Sequence, residues 1–304
     1  MLNIERFKKD HINVTDLAMQ IWCEKQLELS IMNPQEATES MKIGRSVHLV
    51  LEKAVSIPVN IKATNRKEQL YKSIFTAYYR IKVLKDRGIG SVREIPIYAI
   101  IDDLVIAGKI DQLSFFNNEL VIVEDKTKST EIFNSMLNDG RIAAYLNRDT
   151  YQLNIYRYMI DSLKRIDGES FMNNLESKLR LSSLSVRERF IEDINRIDPR
   201  IDSIKQLFKE FINELNEIRF SDRMSIRYID RNDSESVLER YDVIYRRDRI
   251  EDKLRSLLEY WKTDREAKGV SENEAWKCKS CIFYRRAICN ITPLKRNDLY
   301  GSSR

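Results

Sequence analysis

The segment from Ala107 to Lys128, AGKIDQLSFFNNELVIVEDKTK, constrains the fold more than any other part of the sequence. Two apolar-rich runs flank a polar turn at residues 117–119, and this pattern predicts a β-hairpin. The first run contains Asp111 and the second contains Glu124 and Lys126, so the hairpin brings these side chains to one end of a sheet. Glu124 and Lys126 share a face because the side chains of a strand alternate with a period of two.

This hairpin has two interpretations. Two carboxylates and a lysine that converge in this way suit a hard divalent cation, which polarises a phosphodiester and activates a water molecule. The alternative is a surface hairpin that carries an ordinary Glu–Lys ion pair. The hairpin alone leaves both interpretations open.

The composition predicts one large domain with much helix. The chain has 304 residues, of which 42% are hydrophobic, with only eight glycines and five prolines. The net charge of +5 permits a nucleic-acid partner without requiring one. No apolar stretch is long enough to span a bilayer, and the first residues lack the apolar core of a signal peptide. We therefore expect an intracellular, cytoplasmic protein without membrane partners, in which the four cysteines do not form structural disulfides.

A helix is predicted from about Ser40 to Val55. Gly44, His48 and Glu52 recur every four residues and form a stripe on one face. Glycine destabilises a helix, so Gly44 predicts that another backbone or a ligand approaches closely there. His48, one of two histidines in the chain, is either a metal ligand or a hydrogen-bonded core histidine.

Two further helices carry candidate nucleic-acid contacts. The first, from about Arg66 to Arg87, mixes tyrosines with lysines and arginines, as single-strand binders do, although an ordinary helix with a solvated basic face has the same composition. The second runs from about Asn138 to Lys164. Its Gln152 and Tyr156 are four residues apart and face the same way, so beside a metal site they could hold a nucleotide phosphate or base.

The region 186–268 is predicted to be a helical and β insertion. Its apolar residues alternate spacings of three and four, which predicts two helices separated at Asp198-Pro199, the expected N-cap and first residue of the second helix. The pair either packs on the core or protrudes as an arm that clamps substrate. Residues 224–230 and 237–245 are predicted to be paired strands.

The cysteine spacing predicts a metal or cluster site. Cys278 and Cys281 form a C-x-x-C pair, and Cys289 follows eight residues later. Cys23 is the only other cysteine, on a helix for which Thr15 is the predicted N-cap. One centre bound by all four would join the first helix to the C-terminal segment. Zinc and an iron–sulfur cluster both accept four thiolates, and the spacing alone does not separate them.

Four motifs follow one another in the order G-x-x-x-H at 44–48, G-x-I-D at 108–111, E-x-K-T-K at 124–128 and Q-x-x-x-Y at 152–156. Together they resemble the RecB-like branch of the PD-(D/E)XK nucleases. The leading cysteine and the trailing cysteine triplet resemble its iron–sulfur members. The opening VTDLAMQIWCEKQLELS is most similar to the exonuclease V family, and the related CRISPR-associated RecB-like exonucleases are more compact. The interval from Cys281 to Cys289 is longer than this resemblance leads us to expect.

The resemblance implies a restriction-endonuclease-like α/β fold, with a central mixed β-sheet flanked by helices. It implies a single nuclease domain over 1–304, with 186–268 as an insertion. Cys23 and residues 276–290 would form an iron–sulfur region that joins the two ends of the chain.

The resemblance also implies the roles of the candidate catalytic residues. His48, Asp111 and Glu124 would bind Mg²⁺ or Mn²⁺, with Asp125 as a further ligand through its carbonyl. Lys126 would orient the attacking water or stabilise charge on the phosphate.

Further roles implied by the resemblance concern the substrate and the cysteines. Gln152 and Tyr156 would position the nucleic-acid backbone. A 4Fe–4S cluster, with zinc as the less favoured alternative, would be bound by four thiolates, those of Cys23, Cys278, Cys281 and Cys289.

The function implied is a metal-dependent exonuclease of single-stranded DNA, working from 5′ to 3′ in replication or repair. Single-strand-binding proteins or other repair proteins would be its partners, at the nucleoid in a prokaryote. Two alternatives are a nuclease that trims CRISPR spacer precursors and a non-catalytic DNA-binding module.

Overall fold

A computed structural model describes residues 2–55 and 57–293. A seven-stranded mixed sheet is flanked by helices, which confirms the expected α/β architecture. The strands are β1 (Ile12–Asn13), β2 (Gly90–Ile101), β3 (Leu104–Phe116), β4 (Glu119–Lys128), β5 (Arg219–Phe220), β6 (Arg223–Asp230) and β7 (Asp233–Ile244). The helices are α1 (Asn3–Arg6), α2 (Val14–Met32), α3 (Glu39–Ala54), α4 (Arg66–Arg87), α5 (Thr130–Asn138), α6 (Ile142–Leu163), α7 (Gly168–Lys178), α8 (Glu188–Ile197), α9 (Ile204–Glu217), α10 (Arg247–Lys262), α11 (Trp276–Lys279) and α12 (Ile282–Arg285). Among the residues so described, no helix is long and apolar enough to cross a membrane.

Strand β3 lies at the centre of the sheet and pairs with one strand along one edge and with two strands along the other. One edge pairs antiparallel with β2 along nearly the whole strand. The other edge is divided: β1 pairs with it at Ile106 and Ala107, and β4 pairs with it from Gln112 to Phe116. Within the described part of the chain, residues 108–111 therefore have no strand partner on that edge, and this gap opens next to the carboxylates of the hairpin.

The predicted hairpin is confirmed as β3 and β4, and the two strands predicted within 186–268 are confirmed as the antiparallel pair β6 and β7. Beyond Val123, β4 leaves β3 and pairs in parallel with β6. The strands of this region therefore extend the central sheet. The division of the chain into domains stays a prediction, and its span of 1–304 includes residues 1, 56 and 294–304, which lie outside the described residues.

Helix α4 shows how local signals and packing combine. The Asn65 side chain accepts a hydrogen bond from the Glu68 backbone N–H at the start of the helix, and Gly88 ends it at φ +67°, a conformation that favours glycine. The helix packs on β2 and on α9, where the rings of Tyr71 and Phe208 lie edge to face at 5.8 Å. Helix α9 is thus part of the folded body, which supports the packed interpretation over the protruding arm.

Two predicted helix starts are wrong. Helix α2 begins one residue before Thr15, and its N-cap is Asn13, whose backbone N–H donates to Asp16 Oδ2 at 3.0 Å. Helix α9 begins at Ile204, not at Asp198-Pro199. Asp198 instead ends α8, and its carboxylate accepts a hydrogen bond from the Tyr78 hydroxyl at 2.7 Å on distant α4. Long-range hydrogen bonds decide both the role and the position of this side chain.

The contact between α7 and α9 can be tested at Gly168. A Cβ atom there would lie 2.6 Å from the backbone nitrogen of Lys209, which no side-chain rotation can relieve. Gly168→Ala should therefore lower the free energy of unfolding by about 2 kcal/mol, as overpacked sites do. Urea unfolding followed by circular dichroism measures this. Asn173→Ala, on the exposed side of α7, is the control and should cost less than about 0.5 kcal/mol. Equal losses for the two variants would contradict the packing.

Candidate active site and cysteine centre

The candidate active site lies in the gap that β3 leaves between β1 and β4. There the free edge of β3 faces a cleft of about 1000 Å³. All of the predicted catalytic, metal-binding and substrate-binding residues line this cleft, namely His48, Asp111, Glu124, Asp125, Lys126, Gln152 and Tyr156. They come from α3, β3, β4 and α6, so only the folded chain brings them together.

His48, Glu94 and Asp111 form a cluster of potential cation ligands. One ligand atom from each lies within 4.8 Å of the others. His48 Nδ1 is 3.6 Å from Glu94 Oε1 and 3.8 Å from Asp111 Oδ1. An imidazole with two carboxylates is a donor set that fits a hydrolytic divalent cation.

Glu94 is the member of this cluster that the sequence analysis missed. It lies on β2 level with Asp111, where the β2–β3 ladder lacks one pair, and its φ is +53°. Non-glycine residues rarely adopt this conformation, and such strain is often found at functional sites. The available signal was a charged Arg93-Glu94 pair that interrupts an otherwise apolar strand.

Glu124, Lys126 and Gln152 form a second, hydrogen-bonded group beside the first. Glu124 Oε1 accepts from Lys126 Nζ at 2.7 Å and from Gln152 Nε2 at 2.6 Å, while Gln152 Oε1 accepts from Lys126 Nζ at 3.0 Å. Glu124 Oε2 is buried and has no partner among the described residues. A buried acceptor without a partner is costly, and a cation at this place would satisfy it.

The electrostatics of the site also fit a cation. Burial raises the pKa of Asp111, and burial together with the Asp111 charge raises the pKa of Glu124 to about 8. Burial would lower the pKa of Lys126, but the Glu124, Asp149 and Asp111 carboxylates outweigh it and the net pKa is raised. For His48, the neighbouring Glu94 carboxylate raises the pKa against the effect of burial. A divalent cation would favour the ionised carboxylates.

Asp125 points to the other face of β4, and its carboxylate is used there. It accepts hydrogen bonds from Arg93 at 2.6 Å and from Arg227 at 2.8 and 3.0 Å. Burial alone would raise its pKa, but these two guanidinium groups hold the pKa below its usual range. The Asp125 backbone N–H donates to Asp111 Oδ2 at 2.9 Å, so this residue also fixes a candidate ligand. Its carbonyl as a cation ligand stays a prediction.

Two glycines allow the close packing around the cleft. A Cβ atom at Gly108 would lie 2.6 Å from the ring of Tyr156 and 2.8 Å from Val14. A Cβ atom at Gly44 would lie 2.9 Å from the Thr127 hydroxyl. The predicted close approach at Gly44 therefore exists, but a side chain makes it rather than a backbone or a ligand.

Gln152 and Tyr156 both make hydrogen bonds within the protein. Gln152 joins Glu124 to Lys126, and the Tyr156 hydroxyl donates to the Lys109 carbonyl at 2.9 Å. Both side chains are buried. Their role in positioning nucleic acid stays a prediction.

The aromatic and basic residues of α4 serve the fold. Tyr78 is fully buried. Arg80 donates to the Arg93 carbonyl at 2.5 Å, and Lys82 pairs with Asp198 at 2.8 Å. The structure thus gives no support to α4 as a nucleic-acid face.

The four cysteines come from the two ends of the chain and line one small cavity, formed by Cys23, Cys278, Cys281 and Cys289. Cys23 has extended backbone dihedrals, so α2 is interrupted there, and its sulfur accepts a hydrogen bond from the Gln26 N–H at 3.4 Å. Lys25 then bonds the carbonyl of Lys268 through its backbone N–H at 2.9 Å. The break in α2 is therefore held by the C-terminal segment.

The arrangement of these thiols is more open than a zinc site. Burial raises the pKa of Cys23 to about 11, and the other three cysteines add to this rise. No three cysteine sulfurs of the described residues lie within 4.8 Å of one another. Four thiolates on one zinc ion would be about 3.8 Å apart, because each Zn–S bond is about 2.3 Å.

A mixed sheet with histidine, carboxylates and a lysine at an open strand edge defines the class, a PD-(D/E)XK-like nuclease core. A family model described as exonuclease V, a 5′ deoxyribonuclease, matches residues 3–139 and 199–290. The chain belongs to the exonuclease V family, and it is therefore a DNA exonuclease by class.

One curated relative agrees with this assignment. An exonuclease V from Danio rerio is 25% identical over 292 residues, which cover 92% of this chain and 70% of the relative. The crystal structure of SSO0001 aligns with 94% of this chain and 89% of its own, at 14% identity and a TM-score of 0.39. At that TM-score the structural likeness supports no inference about this chain, so the family assignment rests on the sequence matches.

Glu124 and Asp125 are neighbours on opposite faces of β4, and their substitution should affect stability differently. In EDTA at pH 8, Asp125→Asn should lower the free energy of unfolding by about 3 kcal/mol, because two guanidinium groups lose their buried partner. Glu124→Gln should cause no loss, because it removes a buried carboxylate that is costly to ionise. Chemical denaturation of both variants and of the wild type measures the difference.

The pH dependence gives a second readout of the same pair. Glu124 has a folded pKa of about 8 against an ordinary value of 4.5, so between these values the folded state binds the extra proton. The metal-free wild type should therefore lose stability as pH rises through this window, and Glu124→Gln should lose less. If Glu124→Gln keeps the wild-type dependence of stability on pH and loses more stability than Asp125→Asn, the cost of ionising Glu124 is not the cause.

Proposed function

We propose that this chain is a Mg²⁺- or Mn²⁺-dependent exonuclease that degrades single-stranded DNA from the 5′ end, in replication or repair. The observation that carries the proposal is the cluster of His48, Glu94 and Asp111, beside the unpaired oxygen of Glu124. Oxygen and imidazole donors suit these cations. The description of the family as a 5′ deoxyribonuclease supports the polarity.

A cation bound at this cluster would polarise the phosphodiester and lower the pKa of a bound water. The residues of the chain hold the reacting groups in place. Glu94 orients His48, and Gln152 fixes both Glu124 and Lys126 through its hydrogen bonds. Lys126 stays protonated, so its ammonium can stabilise the negative charge that develops on the phosphate.

The size of the cleft supports a single-stranded substrate. Its volume of about 1000 Å³ is at the upper end of the range for pockets that take small molecules. A few nucleotides of one strand fit such a space.

Substitution of the catalytic residues tests this function. Asp111→Ala, Glu124→Ala and Lys126→Ala should each reduce cleavage by about 10³-fold, because each removes a group that acts on the reacting phosphate. The assay uses single-stranded DNA labelled at either end, with Mg²⁺, Mn²⁺ or EDTA. Products that appear first from the 5′ end give the polarity.

Asp252→Ala is the matched control, since this carboxylate lies on α10 with its side chain 85% exposed. It should cleave like the wild type. A wild type that binds DNA but cleaves none with any metal would refute the nuclease in favour of a binding module. Full activity in Asp111→Ala would refute the site.

We also propose that the cysteine centre binds a 4Fe–4S cluster. The four thiols line one cavity, and their separation exceeds that of a closed zinc site. Thiolates are the usual ligands of such clusters. The cluster would join α2 to the segment 276–290, and so hold the two ends of the described fold together.

Loss of one thiolate tests the cluster. Cys281→Ser should remove the brown colour of anaerobically purified protein and lower its melting temperature by about 10 °C, as loss of a long-range cross-link does. Visible absorption, iron analysis and thermal unfolding measure this. Ser280→Ala, at the exposed neighbouring position, should keep the colour and the melting temperature. A colourless wild type with stoichiometric zinc would show that the cluster assignment is wrong.

A further inference from the structure

Lys128 is a cation in the cleft that has no counter-ion within the described residues. Four lysines and arginines line the cleft, Arg45, Lys109, Lys126 and Lys128. Lys109 and Lys126 each pair with a carboxylate of the site, at 2.8 and 2.7 Å. Arg45 is exposed on α3, whereas Lys128 is only partly exposed at the end of β4. Among the described residues Lys128 thus makes no ion pair, and only the more distant Asp149 carboxylate partly offsets its charge.

The aromatic surroundings of Lys128 hold its ammonium without using it. The nitrogen lies over the ring of Tyr145, 5.6 Å from the centroid, and Tyr145 is itself packed on Trp22 at 4.7 Å. A ring face attracts a cation but leaves its N–H groups free to donate to another partner. Burial, and next the Arg148 charge, lower the pKa of Lys128 although Asp149 opposes them, so an anion beside it would relieve an electrostatic cost.

The position of Lys128 on β4 relates it to the catalytic lysine. Glu124, Lys126 and Lys128 lie on one face of the strand, because side chains alternate. Two residues along a strand span about 6.7 Å. This is comparable to the distance between successive phosphates of an extended nucleic-acid strand. A strand whose scissile phosphate lies at Lys126 therefore brings a neighbouring phosphate to Lys128.

We propose that Lys128 binds the backbone phosphate next to the scissile one. The ligand is the sugar–phosphate backbone of a single strand, and the contact is independent of base sequence. This subsite rests on the proposed function for the identity of the scissile position. Its phosphate binding can be measured without any cleavage.

Salt-dependent binding tests the subsite. The full chain in EDTA is titrated into fluorescein-labelled oligothymidylate at several salt concentrations. Each phosphate contact with a single strand contributes about 0.7 to the slope of log K against log salt. Lys128→Ala should reduce that slope by about 0.7 and weaken binding about tenfold at low salt, as loss of a charged hydrogen bond does. Lys128→Arg should keep the wild-type slope.

Two further variants make the result specific. Lys128→Gln keeps most of the side chain without its charge and should behave like Lys128→Ala. Lys205→Ala removes a lysine that is 63% exposed on α9 and paired with Glu169, and it should leave both the slope and the affinity unchanged. Circular dichroism confirms that each variant is folded. A wild-type slope in both Lys128→Ala and Lys128→Gln would overturn the subsite.

Cleavage assays separate this proposal from the proposed function. With Mg²⁺, Lys128→Ala should raise KM about tenfold with kcat nearly unchanged, because the contact is made before and during the reaction. If the wild type cleaves and Lys128→Ala has the salt slope and KM of the wild type, the phosphate subsite is wrong and the proposed nuclease function is unaffected. If the wild type never cleaves but Lys128→Ala loses slope, the nuclease is wrong and the phosphate site stands.

Discussion

The carboxylate of Asp125, fixed between two arginines, is the interaction on which the rest of the site depends. Arg93 on β2 and Arg227 on β6 both bind it, and both also bind the side-chain oxygen of Gln112 on β3. Four adjacent strands are therefore joined by charge-assisted hydrogen bonds that are largely buried. Glu124 and Lys126 lie on the opposite face of β4 from Asp125. These two side chains keep their positions because β2, β3, β4 and β6 are joined on the other face of the sheet and cannot shift independently.

This fixed frame allows an arrangement that would otherwise be unfavourable. Asp111 is partly buried and Glu124 is buried, and the charge of Asp111 makes Glu124 harder to ionise. A flexible site would separate them or admit water. Among the strands that the structure describes, none pairs with β3 between β1 and β4, so the carboxylates face one cleft while their backbones are held by the sheet. The backbone strain at Glu94 and the Glu124 oxygen without a hydrogen bond among the described residues also cost free energy, which the packing of the rest of the fold offsets.

Much of the fold was predictable because it depends on local patterns. The period-two alternation and the polar turn gave the hairpin, and the predicted helix from about Arg66 to Arg87 matches α4. The order of the short motifs gave the family, and the cleft brings their members together. Glu94 was missed because its importance comes from lying level with Asp111 on a neighbouring strand. Asp198 was misassigned because distant Tyr78 and Lys82, rather than a helix start, determine its role.

The sequence by itself determined which chemistry is available: hard ligands and a lysine on one hairpin, and four thiols at the two ends of the chain. Residue types and their short-range spacing carry that information, since strand and helix periods fix which neighbours share a face. Only the tertiary structure decided that Glu94 joins His48 and Asp111, that Asp125 turns its carboxylate to two arginines, and that Lys128 has no carboxylate partner within the described chain. These outcomes depend on strand order and on helix packing between residues far apart in sequence. Loop closure and burial determine such contacts, whereas local conformational preference does not.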